Sequence, residues 1–126
     1  MRRHLVPPDA TDYKENMPLA QTLRSLTATE IVASLAKLEG WTLAGDGTDI
    51  AIEKSYRFTH YAQTMAFVNA VAWLAESRQH HPDLQVHYGA CRVQWRTHDA
   101  PGLTRLDFDC AAAVDALSSH SPTVAA

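Results

Sequence analysis

This 126-residue chain is short of several things. It has only two cysteines, Cys91 and Cys110, too few for a disulfide-dense scaffold or for two close thiolate pairs around zinc. Each sits in an apolar-patterned run as a small core residue, which predicts two reduced thiols. No apolar run reaches the roughly 18 residues that a membrane-spanning helix needs. No basic cluster stands out either: 11 Lys and Arg face 14 Asp and Glu, a net charge of −3, which argues against direct nucleic-acid binding. Arg2 and Arg3 open the chain, but Pro7, Pro8, Asp9 and Asp12 follow where a secretory signal needs an apolar stretch. The expectation is a soluble cytoplasmic protein that contacts neither membrane nor nucleic acid.

What the chain does have is 46% hydrophobic and 20% charged residues, enough for one ordinary core, and the length of one domain. Residues 1–24 are polar and broken by prolines, and are expected to form a flexible arm. Residues 120–126 read as a similar tail, which leaves 25–119 for the folded domain.

Thr27-Ala-Thr-Glu30 has the pattern of a capping box and predicts a short helix with Ile31, Leu35 and Leu38 inward, ending at Gly40. Trp41–Leu43 reads as a strand, residues 44–47 (AGDG) as a hairpin turn, and Ile50, Ile52, Tyr56 and Phe58 as the buried parity of a second strand. From His60 to Ser77 the period becomes helical: Tyr61, Met65, Val68, Ala72 and Ala75 make a stripe widened by Phe67, Val71 and Leu74. Two strands, 86–88 and 91–97, are expected about a turn at Gly89-Ala90, with Cys91, Val93 and Trp95 on one face. Thr104–Asp107 opens the last helix, with Asp107 at its third position, where a carboxylate suits the helix dipole. The order helix-strand-strand-helix-strand-strand-helix predicts an α+β domain, a four-stranded antiparallel sheet with three helices on one face. Its free edges and second face favour self-association.

The functional signal lies in the histidines. His80 and His81 are adjacent and followed by Pro82, at the end of the longest predicted helix, and His98 follows the last strand. Adjacent histidines diverge and lack the i,i+4 spacing of helical zinc ligands, so no metal is expected. No Ser or Cys stands in a recognisable nucleophile elbow. General acid–base chemistry is left, for which imidazole titrates in the right range. A plain reading also fits: His80 and His81 as a solvated helix end, Glu76 as the i,i+4 partner of His80, His98 as a strand cap and Asp107 as a helix-start residue.

Glu76, His80-His81-Pro82, Tyr88, His98 and Asp107 together keep every interval of a longer motif. In this the chain resembles the pterin-4a-carbinolamine dehydratases, and the similarity runs from Leu26 to Leu117 through "IEKSYRF", "AFVNAVAWLAE" and "THDAPGLT". The resemblance implies an α+β fold assembled as a homodimer or homotetramer. It also implies loss of water from 4a-hydroxytetrahydropterin to give quinonoid dihydropterin, with no cofactor. By position, His80 and His98 would assist the leaving hydroxyl and remove a ring proton, and His81 would bind and polarise the pterin. Glu76 and Asp107 would orient imidazoles, and Pro82 and Tyr88 would help line the substrate site. Gln79 and Leu84 depart from animal members, which carry an acid and a tryptophan there; the first change would alter the neighbouring imidazole and the second a pocket wall. His87 has no role in the motif. Other relatives of this fold act through protein partners, as a dimerisation cofactor of a transcription factor or as an assembly factor for Rubisco in carboxysomes. An inactive, partner-binding protein is therefore the alternative reading.

Overall fold

The computed structural model describes residues 24–119. The expected arm, apart from Arg24, and the expected tail lie outside these residues. Helix α1 (Ala28–Leu35) is followed by β1 (Thr42–Ala44), β2 (Ala51–Arg57), α2 (Tyr61–Arg78), β3 (Asp83–His87), β4 (Ala90–Trp95) and α3 (Arg105–Ser119). The strands form one antiparallel sheet in the order β1-β2-β4-β3. Each hairpin thus contributes one central strand, and the central pair is registered Ile52 to Trp95 and Tyr56 to Cys91.

The predicted α+β architecture is present, and its alternation has a physical basis. Ile52, Tyr56, Cys91, Val93 and Trp95 point to one face and are buried with Phe67, Val71 and Ala75 of α2 and Phe108, Ala111 and Val114 of α3. Ile31 and Leu35 of α1 pack against the same cluster. The opposite face carries Glu53, Ser55, Gln85, Arg92 and Gln94, cross-linked by Gln94 to Glu53 at 2.6 Å and by Arg92 to Gln85.

The capping box forms as read: the Glu30 amide donates to the Thr27 hydroxyl at 3.2 Å, and the Thr27 amide donates to the Glu30 carboxylate at 2.8 Å. Several boundaries differ from expectation. Helix α1 ends at Leu35 and not at Gly40, residues 36–40 forming turns, while β1 starts at Thr42 and β4 runs from Ala90 only to Trp95. Residues 44–47 are not a tight hairpin turn: a short 3-10 turn at Gly47–Asp49 widens the link, and β2 starts at Ala51. The second hairpin turns at Tyr88-Gly89, with His87 opposite Ala90, and β3 begins at Asp83, directly after the proline. Gly89 is needed there because a Cβ would meet the Phe58 carbonyl oxygen at 2.9 Å, while Phe58 N–H donates to Gly89 O at 2.8 Å. The buried stripe of α2 is centred on Thr64, Phe67, Val71 and Ala75, whereas Tyr61 and Ala72 are exposed. The sequence stripe was offset because Thr64 counts as polar, yet its hydroxyl donates inward to the Tyr88 carbonyl at 2.8 Å.

Candidate functional site

The end of α2 places the paired histidines. Gln79 closes the helix in the left-handed conformation (φ 51°, ψ 39°), and the His80 N–H bonds back to Ala75 O at 3.2 Å. This is the six-to-one closure typical of such ends, and Pro82 prevents the helix from resuming. A non-glycine residue in this region is strained by about 1 kcal/mol or more. The Gln79 side chain turns back to donate to Glu76 O at 2.9 Å. Gln79 thus shapes the bend, and its side-chain amide is spent on the helix end.

The bend sends the two imidazoles into opposite environments. His80 turns inward, its side chain 11% exposed, and its Nε2 lies 2.7 Å from Asp107 Oδ1. His81 turns outward, its Nε2 3.0 Å from Glu76 Oε1, with both side chains largely in solvent. Glu76 therefore partners His81, five residues on, and not His80 as an i,i+4 reading expects.

Asp107 is fully buried, and its second oxygen is saturated. Oδ2 accepts from the Thr97 hydroxyl at 2.7 Å and from the Thr104 amide at 3.0 Å. Since the Thr97 proton goes to the carboxylate, the Thr104 hydroxyl must donate to Thr97 Oγ1, 2.9 Å away. A buried carboxylate without such donors would be several kcal/mol less stable; with them it presents one oxygen, in fixed orientation, to His80. Trp95 completes the surroundings: its ring stacks on the His80 imidazole at 5.3 Å between centroids and 18° between planes.

His98 is exposed and follows Thr97 directly. It lines an open depression of about 440 Å³ with Asp49, Arg96, Thr97, Asp99 and Pro101 among its neighbours. Thr97 thus joins two parts of the site, its hydroxyl on the His80–Asp107 pair and its backbone next to His98. Pro82 is half-buried beside His81. Tyr88 is not brought to this group. It stands at the far end of β3, six residues beyond Pro82 and so about 20 Å away at strand spacing, stacked on Tyr61 at 6.3 Å.

Among the described residues no group of three or more His, Cys, Asp or Glu side chains is arranged to hold a metal ion. Burial pushes the Cys91 thiol up to about 11 and the Cys110 thiol up to about 12, so neither supplies a thiolate near neutrality. No helix among the described residues is long and apolar enough to cross a membrane. Leu84 is half-buried and packs against the core. Thr97, Thr104 and Trp95 were not read as site residues in the sequence. The parity that places Cys91, Val93 and Trp95 inward extends to Thr97, and this was the available signal.

Comparison with known proteins agrees with this geometry. The family model "Pterin 4 alpha carbinolamine dehydratase" matches residues 24–117. A protein of Paracidovorax citrulli, provisionally assigned as a pterin-4-alpha-carbinolamine dehydratase, is 53% identical over 102 residues, covering 81% of this chain and 88% of its own. One from Nitrosospira multiformis with the same provisional assignment is 41% identical over 104 residues, 82% of this chain and 88% of its own. Among solved structures, a transcriptional coactivator/pterin dehydratase from Brucella melitensis superposes with a TM-score of 0.69 at 30% identity, covering 75% of this chain and 98% of that one. A pterin dehydratase-like protein identified as a RuBisCO assembly factor in the alpha-carboxysome gives 0.52 at 27% identity, covering 66% and 94%. With three-quarters of its length matched and the motif histidines in place, this chain belongs to the pterin-4-alpha-carbinolamine dehydratase family.

Proposed function

We propose that this protein dehydrates 4a-hydroxytetrahydropterin to quinonoid dihydropterin by histidine acid–base catalysis. The observation that carries the reading is the His80–Asp107 pair: a largely enclosed imidazole 2.7 Å from a fully buried carboxylate whose other oxygen is saturated. A helix-end histidine with only a structural role would not need a carboxylate so fully committed to it.

In the reaction the C–O bond at position 4a breaks and a double bond forms to the adjacent ring nitrogen. That nitrogen loses its proton, and the hydroxyl gains one and leaves as water. One protonated and one neutral imidazole meet the demand, and no redox step or cofactor enters the balance. His80 and His98 are the proton-transfer pair. His81, tethered to Glu76 at the solvent edge, binds the pterin. Asp107 holds the Nε2 side of His80 and leaves Nδ1 to face the substrate. Positioned proton transfer of this kind contributes on the order of 10²–10⁴-fold per group.

A second reading is favoured by the likeness to the RuBisCO assembly factor: a protein of this fold that works by binding a protein partner. The exposed side chains of Trp73 and Val32 are compatible with it, and with assembly into a homodimer or homotetramer. The deciding experiment follows dehydration of chemically generated 4a-hydroxytetrahydropterin by absorbance. Acceleration over solvent by the wild type, lost in His98→Ala, supports the enzyme. A wild type no faster than solvent overturns it in favour of partner binding.

A further inference from the structure

Among the described residues, Trp95 is the one large buried side chain whose chemistry the core does not explain. It is 0% exposed, at the end of β4 and opposite Ile52, and its indole N–H has no hydrogen-bond partner. A buried donor left unpaired costs about 1–3 kcal/mol, which a phenylalanine or leucine in the same space would avoid. Its ring is also the surface on which the His80 imidazole lies, at 5.3 Å and 18°.

We propose that Trp95 is a positioning residue for His80, fixing the plane of the imidazole while Asp107 fixes its Nε2. The inference rests on the proposed function. A single hydrogen bond, His80 Nε2 to Asp107 Oδ1 at 2.7 Å, anchors one atom and leaves the ring free to rock about the N···O line. A flat aromatic face against the ring removes that freedom, so that together the two contacts set the direction of Nδ1. The near-parallel geometry is that of an offset stack, which also favours the imidazolium when the ring carries its second proton. One strand end supplies both constraints: Trp95 provides the wall, and Thr97, two residues on, donates to the carboxylate that holds the ring. Misplacing a reacting group by about 1 Å lowers rates by on the order of 10²-fold, so a loosened His80 should lose turnover and not substrate binding.

The test compares Trp95→Leu and Trp95→Phe in the full chain, with kcat, KM, Tm and the ¹⁵N signals of the His80 ring. Trp95→Leu should lower kcat by roughly 10-fold or more with KM within about 2-fold, and should spread the His80 signals from one tautomer to a mixture. Trp95→Phe keeps a flat face and drops the unpaired N–H; it should fold, retain kcat within about 3-fold and keep the wild-type signals. The proposal is overturned if folded Trp95→Leu keeps wild-type His80 signals while its kcat merely follows its folded fraction, or if folded Trp95→Phe loses kcat and the wild-type signals as fully as Trp95→Leu. It is equally overturned if Trp95→Leu keeps wild-type kcat and signals. A wild type that does not accelerate dehydration sinks the functional reading, and the ring signals still report separately on whether Trp95 orders His80.

Discussion

Helix α3 carries two carboxylates that face inward, Asp107 in its first turn and Asp115 two turns later, and the two are used differently. Asp115 accepts from the Trp41 indole at 3.1 Å, from Lys54 Nζ at 2.9 Å and from the Tyr56 hydroxyl. None of these donors is an imidazole, and burial together with Asp115 pushes the Tyr56 phenol far above its ordinary value. Asp107 also takes three donors, but one is an imidazole, the side-chain type best suited to exchange a proton with a substrate. One cluster clamps helix to sheet; the other has the same economy of bonds with an imidazole at one end, the group to which the proposed function assigns proton transfer. A buried carboxylate is therefore no functional signal by itself, and the kind of donor it holds makes the difference.

The sharpest way to break the comparison is to remove the imidazole. His80→Ala should lower kcat by on the order of 10²–10⁴-fold. Asp107→Asn, which sets an amide N–H₂ against His80 Nε2 or gives up the Thr97 bond, should cost about 10²-fold in kcat, together with a lower Tm.

The Asp115 clamp should respond in the opposite sense. Asp115→Ala leaves the Tyr56 hydroxyl and Lys54 without their acceptor and should destabilise the fold by about 2 kcal/mol, read by urea unfolding, with kcat/KM within about 2-fold of wild type once folded. A large loss of activity without loss of stability would erase the distinction between the two ends of α3.

Smaller effects sharpen it further. Gln79→Gly relieves a left-handed residue at the α2 end and should add about 0.5 kcal/mol while preserving activity. At the molecule's edge, Glu30 is held down to about 2 by its hydrogen bond from Arg24 and by the Thr27 amide. Its folded value lies below the ordinary 4.5, so its contribution is present above that pH and is lost as the pH falls toward 2. Protection of the first-turn amides of α1, taken relative to their intrinsic exchange at each pH, should fall over that window, and Glu30→Gln should blunt the change.

How much of this was legible depended on whether a residue announces itself locally. The α1 cap could be read because Thr27 and Glu30 satisfy each other within four residues. The alternation in β4 could be read because a sheet with one buried face enforces it. The His80–Asp107 pair could be read only as matching intervals, because the two residues are 27 apart and meet through the fold. Glu76 looked like a partner of His80 because helical spacing puts i and i+4 together. The left-handed turn at Gln79 breaks that spacing and delivers His81 to it. Trp95, Thr97 and Thr104 carry no motif, and their role follows from a buried carboxylate that a sequence does not reveal.

The central claim is the proposed one, that catalysis runs through His80 while the Asp115 cluster serves only to hold the fold. Dehydration of 4a-hydroxytetrahydropterin by wild type, His80→Ala and Asp115→Ala, each corrected for folded fraction, tests it most directly. The account predicts acceleration over solvent by wild type and Asp115→Ala alike, and its near-complete loss in His80→Ala. A His80→Ala protein that dehydrates the substrate as fast as wild type would contradict it.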